Sequence, residues 1–212
     1  MTKRDGYQPK PRNTNQRERK KVILLMAEGE NKTETFYFKG LSNSSYVMQF
    51  APGNYTDPVN MVNALRRTFD DLGLDATAGD VAYCLVDSDL DPKKDKQIAC
   101  ADAKSGDGIK MIVSCPCFEI WYLCHYTKST RQYASNKEVI GVLKKYLPEY
   151  NKSMSNMRSV LKGKSEEAIK NAKELEKHCQ ELKLKPHSVE FQPSTEVYKI
   201  LLQFLKGENR NR

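Results

Sequence analysis

The chain of 212 residues is long enough to bury one substantial domain, and its 39% hydrophobic and 29% charged residues suit a globular protein with a polar surface. No apolar run approaches the roughly 18 residues that a membrane span needs, and the six cysteines come without the apolar leader of an exported protein, so reduced thiols and a cytoplasmic location are expected. The net charge of +8 is unevenly spread: residues 1–21 hold eight Lys/Arg against two acids, residues 22–91 four against eleven, residues 92–205 twenty against thirteen, and residues 206–212 three against one. An acidic half suits a cation, whereas a basic half with basic tails suits a polyanion such as nucleic acid.

In chain order, residues 1–20 are basic, carry two prolines and have almost no apolar residues, which predicts a disordered tail. Val22 to Met26 is a continuous apolar run, as in a strand buried on both faces, and Glu28-Gly29 follows it. Thr33 caps a short helix over Glu34 to Leu41, and "YVMQFAP" from Tyr46 reads as a second strand stopped by Pro52. Asp57-Pro58 is a helix start. Val59, Val62, Leu65, Phe69 and Leu72 recur at helical spacing until Gly73. Val81 to Val86 is a third strand, running into Asp87, Asp89 and Asp91. A polar stretch rich in Lys, Asp and Gly, about 92–108, leads to a fourth strand, "IKMIVSC". After Pro116 comes an aromatic helix, "CFEIWYLCHY", apolar nearly all round and therefore buried.

Past residue 130 the pattern turns helical. Asn136 caps one helix, Ser165 precedes a second with Ala168, Ala172, Leu175, Cys179 and Leu182 on one stripe, and "EVYKILLQFL" is the last; "HSVEFQ" is offered as an additional strand. This alternation predicts an α/β fold with a mostly parallel sheet flanked by helices over 21–130, a helical extension over 131–206 packed on it, and a second disordered tail at 207–212.

Functional groups in parallel sheets gather at the carboxyl ends of strands, where Glu28 and Asp87 both fall. Residues two apart in an extended chain point the same way, so Asp87, Asp89 and Asp91 crowd three anions together. Glu28, Asp87 and Asp89, with Glu34 and Asp91 as further candidates, form an oxygen-rich donor set of the kind Mg²⁺ prefers. A single Asp-x-Asp often only caps a turn, and Asp91 before Pro92 is also placed to start a helix. The ordered combination at successive strand ends is far more specific. Glu119, inside the buried helix, is a candidate for the same cluster or for a partnered core carboxylate. Cys115, Cys117, Cys124 and His125 lack the Cys-x-x-Cys spacing of a zinc site, and core cysteines are the better reading. His178 and His187 have no partners that make a catalytic case. Lys144, Lys145, Lys162 and Lys164 are candidate phosphate contacts in the basic half. Tyr122, Tyr126 and Tyr133 are candidates for base stacking, but core packing is the better reading for Trp121 and its neighbours.

The residues "AEGENKTETFYFKGL" (27–41), "LVDSDLD" (85–91), "SCPCFEIWYLCHY" (114–126) and "PSTEVYKILLQFL" (193–205) together resemble the Toprim domain of topoisomerases, primases and overcoming-lysogenization-defect nucleases. More narrowly they resemble the RloB-like, or abortive-infection Toprim, family, whose pattern near 114 usually carries Asn where this chain has Cys115. The resemblance implies a Toprim fold, dependence on Mg²⁺ or Mn²⁺, nucleic-acid cleavage in bacterial anti-phage defence, and an ATPase partner. It further implies metal binding by Glu28, Asp87 and Asp89, with Glu34 joining a second metal position. The alternative is a nucleic-acid-binding or regulated subunit, inactive alone. A primase-like phosphotransferase ranks last, because no G-x-x-x-x-G-K-[ST] loop is present.

Overall fold

The structure is a computed structural model that describes residues 19–29 and 32–206. Most of both expected tails, 1–20 and 207–212, lies outside the described residues; Arg19 and Lys20 lie within them. The elements run β1 (Lys21–Ala27), α1 (Lys32–Phe38), β2 (Tyr46–Phe50), α2 (Pro58–Asp71), β3 (Val81–Asp87), α3 (Pro92–Lys104), β4 (Ile109–Cys115) and α4 (Glu119–Cys124). After these come α5 (Asn136–Tyr146), α6 (Met157–Val160), α7 (Ser165–Glu181), β5 (Ser194–Thr195) and α8 (Val197–Leu205).

The sheet has the order β2-β1-β3-β4-β5, with the first four strands parallel and β5 antiparallel to β4. The apolar runs explain why β1, β3 and β4 are central: strands buried on both faces must be apolar throughout. Alternation then divides their side chains. Ile23, Leu25, Ala27, Val81, Tyr83 and Leu85 point into a core with α1, α4, α5, α7 and α8. Val22, Leu24, Met26, Ala82, Cys84 and Val86 point into a second core with Met61, Val62 and Leu65 of α2 and Ile98 of α3. Successive side chains of a strand face opposite ways, so one run feeds two layers.

The strand order places a topological switch at the carboxyl ends of β1 and β3. The chain leaves β1 to build β2 on one side, then crosses to build β3 on the other. The helices diverge there too, α1 going to one face and α2 and α3 to the other, and the crevice left between them is where parallel sheets bind ligands.

Asp91 before Pro92 does start a helix: it caps α3, its side chain accepting from the Lys93 N–H, and Pro92 occupies the first helical position. Only Lys94, Ile98 and Ala101 of that helix are buried, a stripe too narrow to stand out among its charges. Two sequence expectations, on the extra strand and on the cap of α5, are corrected. The extra strand does not fall on "HSVEFQ" but on Ser194–Thr195, where Ser114 Oγ and Thr195 Oγ1 lie 2.9 Å apart. The cap of α5 is Ser135, whose side chain accepts from the Glu138 N–H, which frees the Asn136 side chain for another task.

Candidate active site

The residues after β3 turn back sharply. Asp89 and Leu90 both take left-handed backbone angles, φ 52° and 56°. Asp tolerates that region better than most residues; Leu does not, so the turn stores strain that its surroundings must hold. They do so through the segment after β4. Ser88 N–H donates to the Ser114 carbonyl at 3.0 Å and Asp89 N–H to the Pro116 carbonyl at 3.0 Å. Buried Cys115, where the resemblance pattern has Asn, accepts from Ser88 Oγ at 2.9 Å. Gly29 turns the chain at the end of β1 with φ +67°, its N–H donating to the Tyr55 carbonyl.

These two turns bring Glu28 and Asp89 together across the β1–β3 boundary. Both carboxylates converge on the ammonium of Lys94: Nζ lies 2.6 Å from Glu28 Oε2, 2.9 Å from Glu28 Oε1 and 2.6 Å from Asp89 Oδ2. Asp89 Oδ1 also accepts from Asn136 Nδ2 at 2.6 Å, which ties α5 to the turn. Burial raises the pKa of Glu28 and the lysine opposes that rise. For Lys94, burial disfavours the charge, but the hydrogen bonds and charges of Asp89 and Glu28 outweigh it and raise its pKa.

Beside this bridge lies a cleft of about 450 Å³, lined by Glu28, Glu34, Asp87, Asp89, Glu119 and Lys152 among others. Asp87, the last residue of β3, is among its lining residues. Burial, followed by the charges of Glu34, Glu119, Asp89 and Glu28, pushes its pKa well above the usual carboxylate range. Glu34, on α1, is pushed up to about 7, by burial first and then by Glu119 and Glu28 against the pull of Lys152. Glu119 opens α4 almost wholly buried; its Oε1 accepts from Tyr150 Oη at 2.8 Å and faces Lys152 Nζ at 3.8 Å. The pKa of Lys152 is raised, the surrounding acids prevailing over the cost of burial.

The structure thus brings five of the candidate acids, Glu28, Glu34, Asp87, Asp89 and Glu119, into one cleft. Asp91 stands apart as the exposed cap of α3. None of Lys144, Lys145, Lys162 or Lys164 lines the cleft. Lys144 and Lys145 are exposed in the last turn of α5, Lys162 borders a separate cavity, and Lys164 Nζ lies 4.0 Å from the centre of the Tyr126 ring. Tyr122 is buried and donates to the Thr33 carbonyl at 3.0 Å, and Trp121 is fully buried, as core residues are. All six cysteines are free thiols. The buried His125 ring contacts the Trp121 carbonyl, and burial lowers its pKa to about 4.

Sequence reasoning missed Lys94, Lys152 and Asn136. For Lys94 a signal existed. As the third residue of a helix capped by Asp91, it projects its side chain back toward the helix start and so toward Asp89. Lys152 lies in an irregular segment between α5 and α6, and nothing local in the sequence aims it at the cleft.

The chemistry of the donor set fits a hard divalent ion, since carboxylate oxygen is what such ions prefer. Glu28 and Asp89 already share one cation at 2.6 Å each. That cation is Lys94, and among the described residues no group of three His, Cys, Asp or Glu side chains is arranged to hold a metal ion.

Fold and cleft together define an α/β protein whose acidic crevice opens at the switch point of a mostly parallel sheet. A family model described as RloB-like protein matches residues 23–203, and the chain belongs to that RloB-like family. Comparison with curated proteins and with solved structures yields no match. Among the described residues no helix is long and apolar enough to cross a membrane.

Proposed function

We propose that this chain is a Toprim-type nuclease dependent on Mg²⁺ or Mn²⁺ that hydrolyses a phosphodiester bond in DNA or RNA, tRNA among the candidates, within bacterial abortive-infection defence. The observation that carries the chemistry is the convergence of Glu28 and Asp89 on one cation, with Asp87, Glu34 and Glu119 facing the same cleft. The defence role and the Toprim identity rest on the sequence resemblance.

Glu28, Asp87 and Asp89 would hold the metal, with Glu34 at a second position; the bound ion supplies an activated water and charge neutralisation at the phosphate. The chain's own groups do the rest. The Lys152 ammonium, exposed at the rim of the cleft, offers a donor to a phosphate oxygen. Glu119, fixed by Tyr150, holds Lys152 there.

The test is cleavage of labelled DNA and tRNA in Mg²⁺ or Mn²⁺ by the wild-type chain and by Asp87→Ala/Asp89→Ala. Cutting by the wild type that falls at least 100-fold in the double variant is expected; equal cutting by both ends the proposal. A regulated subunit that is silent alone is the second reading, favoured by the ion pair between Lys94 and the two carboxylates. Activity that appears only when an ATPase partner is added supports it, and full activity in isolation removes it.

A further inference from the structure

Lys94 does more than neutralise charge. Its side chain is 9% exposed, and its ammonium makes three contacts, two to Glu28 and one to Asp89. An ammonium has three N–H donors, so its hydrogen-bonding capacity is used up within the cleft. The lysine is fixed from both directions: its backbone belongs to the first turn of α3, capped by Asp91, and its head is clamped by two separate strand ends. A small divalent ion bonds carboxylate oxygen at about 2.0–2.1 Å and tolerates little distortion. The carboxylate oxygens that face Lys94 cannot serve both cations in one geometry. Two cations pressed together in a poorly solvated cleft also repel strongly.

We propose that Lys94 is a built-in competitor for the divalent ion: it holds Glu28 and Asp89 together while the cleft is metal-free, and it must leave them for the metal to load. The inference rests on the metal-dependent reading of the cleft and adds its control. Lys94 sets the metal concentration at which the enzyme becomes competent. It also prevents the carboxylates from springing apart before that point, when their mutual repulsion is otherwise unrelieved. Release of the ammonium leaves a mobile donor at the edge of the cleft, which suits an incoming phosphate. Metal loading and substrate binding are then mutually reinforcing, since each gives Lys94 or its former partners a new counter-charge.

The experiment is a Mn²⁺ titration of the full chain, followed by calorimetry and by the paramagnetic signal of free Mn²⁺, for the wild type, Lys94→Met, Lys94→Gln and Lys94→Arg. Lys94→Met is expected to bind Mn²⁺ at least 10-fold more tightly than the wild type and to gain a larger rise in unfolding temperature at saturation. Lys94→Arg, which keeps the competing charge, stays within about threefold of the wild type. If Lys94→Met is too unstable without metal, Lys94→Gln keeps a donor without the charge and must show the same tightening. Equal or weaker binding by folded Met or Gln variants, with a wild type that does bind, overturns the competition and leaves the metal reading intact. No Mn²⁺ binding by any of the four proteins removes the metal reading and the competition with it.

Discussion

Asp89 and Asp91 are two residues apart and of the same type, yet the structure gives them unlike work. Asp89 sits in a strained left-handed turn and faces Lys94 and Asn136. Asp91 lies outside the cleft and accepts from the first turn of α3. Replacing Asp91 with Ala removes a helix cap and is expected to cost about 1 kcal/mol of stability, within 0.5–2. Mn²⁺ affinity should change by less than threefold. Replacing Asp89 with Ala instead removes one of the two partners of Lys94 and should abolish saturable Mn²⁺ binding at millimolar metal. Denaturant melts and calorimetry on the two single variants separate these outcomes. A result in which Asp91→Ala loses the metal as completely as Asp89→Ala would place Asp91 among the ligands after all.

At the scale of elements, what the sequence disclosed follows from how local each cause is. β1, β3 and β4 announce themselves because strands buried on both faces carry long apolar runs, broken in β4 only by exposed Lys110 and by Ser114. α2 was legible from its Asp-Pro start and its apolar stripe. Glu28, Asp87 and Asp89 were legible because strand ends are where such sheets place function; Glu34 and Glu119 reach the cleft from helices α1 and α4 instead. What stayed hidden depends on long-range contacts. β5 is only two residues long, and it exists because Ser194 and Thr195 meet β4 some 80 residues earlier in the chain. Lys152 reaches the cleft only through the path of the loop between α5 and α6.

The junction of β5 with α8 has a second long-range link. His187 Nε2 lies 3.1 Å from Glu196 Oε2, and its Nδ1 lies 3.7 Å from Asp102 of α3. Burial works against the charged ring, but Glu196 and Asp102 together raise its pKa, and Glu196 is lowered by His187 and Lys199 despite its own burial. The signs define a window. A raised histidine stabilises the fold below its unfolded pKa, about 6.5, and that contribution disappears as pH rises through the folded value. A lowered glutamate stabilises above its unfolded pKa, about 4.3, and that contribution disappears as pH falls through the folded value. The stability difference between the wild type and His187→Gln should therefore peak near pH 5–6, at about 1 kcal/mol, and shrink toward pH 9. Thermal melts across that range check it, and a difference that does not vary with pH would rule out the ion pair as its source.

The charge division extends over the whole molecule. Residues 22–91 hold four of the five acids of the cleft, all but Glu119, while residues 92–205 carry twenty basic residues. A nucleic acid held by the basic half should bind with strong salt dependence, each phosphate contact contributing a slope of about −0.7 to −0.9 in the logarithm of affinity against the logarithm of salt. Replacing exposed Lys144 and Lys145 together with Ala should weaken binding without regard to sequence and flatten that slope by between one and two contacts. Fluorescence anisotropy from about 50 to 200 mM salt measures it. An unchanged slope would move the nucleic-acid surface away from α5.

The antiparallel pairing of β5 with β4 also bears on how the protein is made. The outer edge of β4 is complete once residue 115 has left the ribosome, yet its neighbour is not synthesised until residues 194 and 195. At elongation speeds of about 5–20 residues per second that interval lasts on the order of 4–16 s. For that time the nascent sheet offers a bare, apolar strand border of the kind on which chains aggregate. The same strand's continuation, Ser114 to Pro116, anchors the turn that aims Asp89. The pairing of Ser194 and Thr195 with Cys115 and Ser114 thus closes the edge beside the very segment that holds the Asp89 turn.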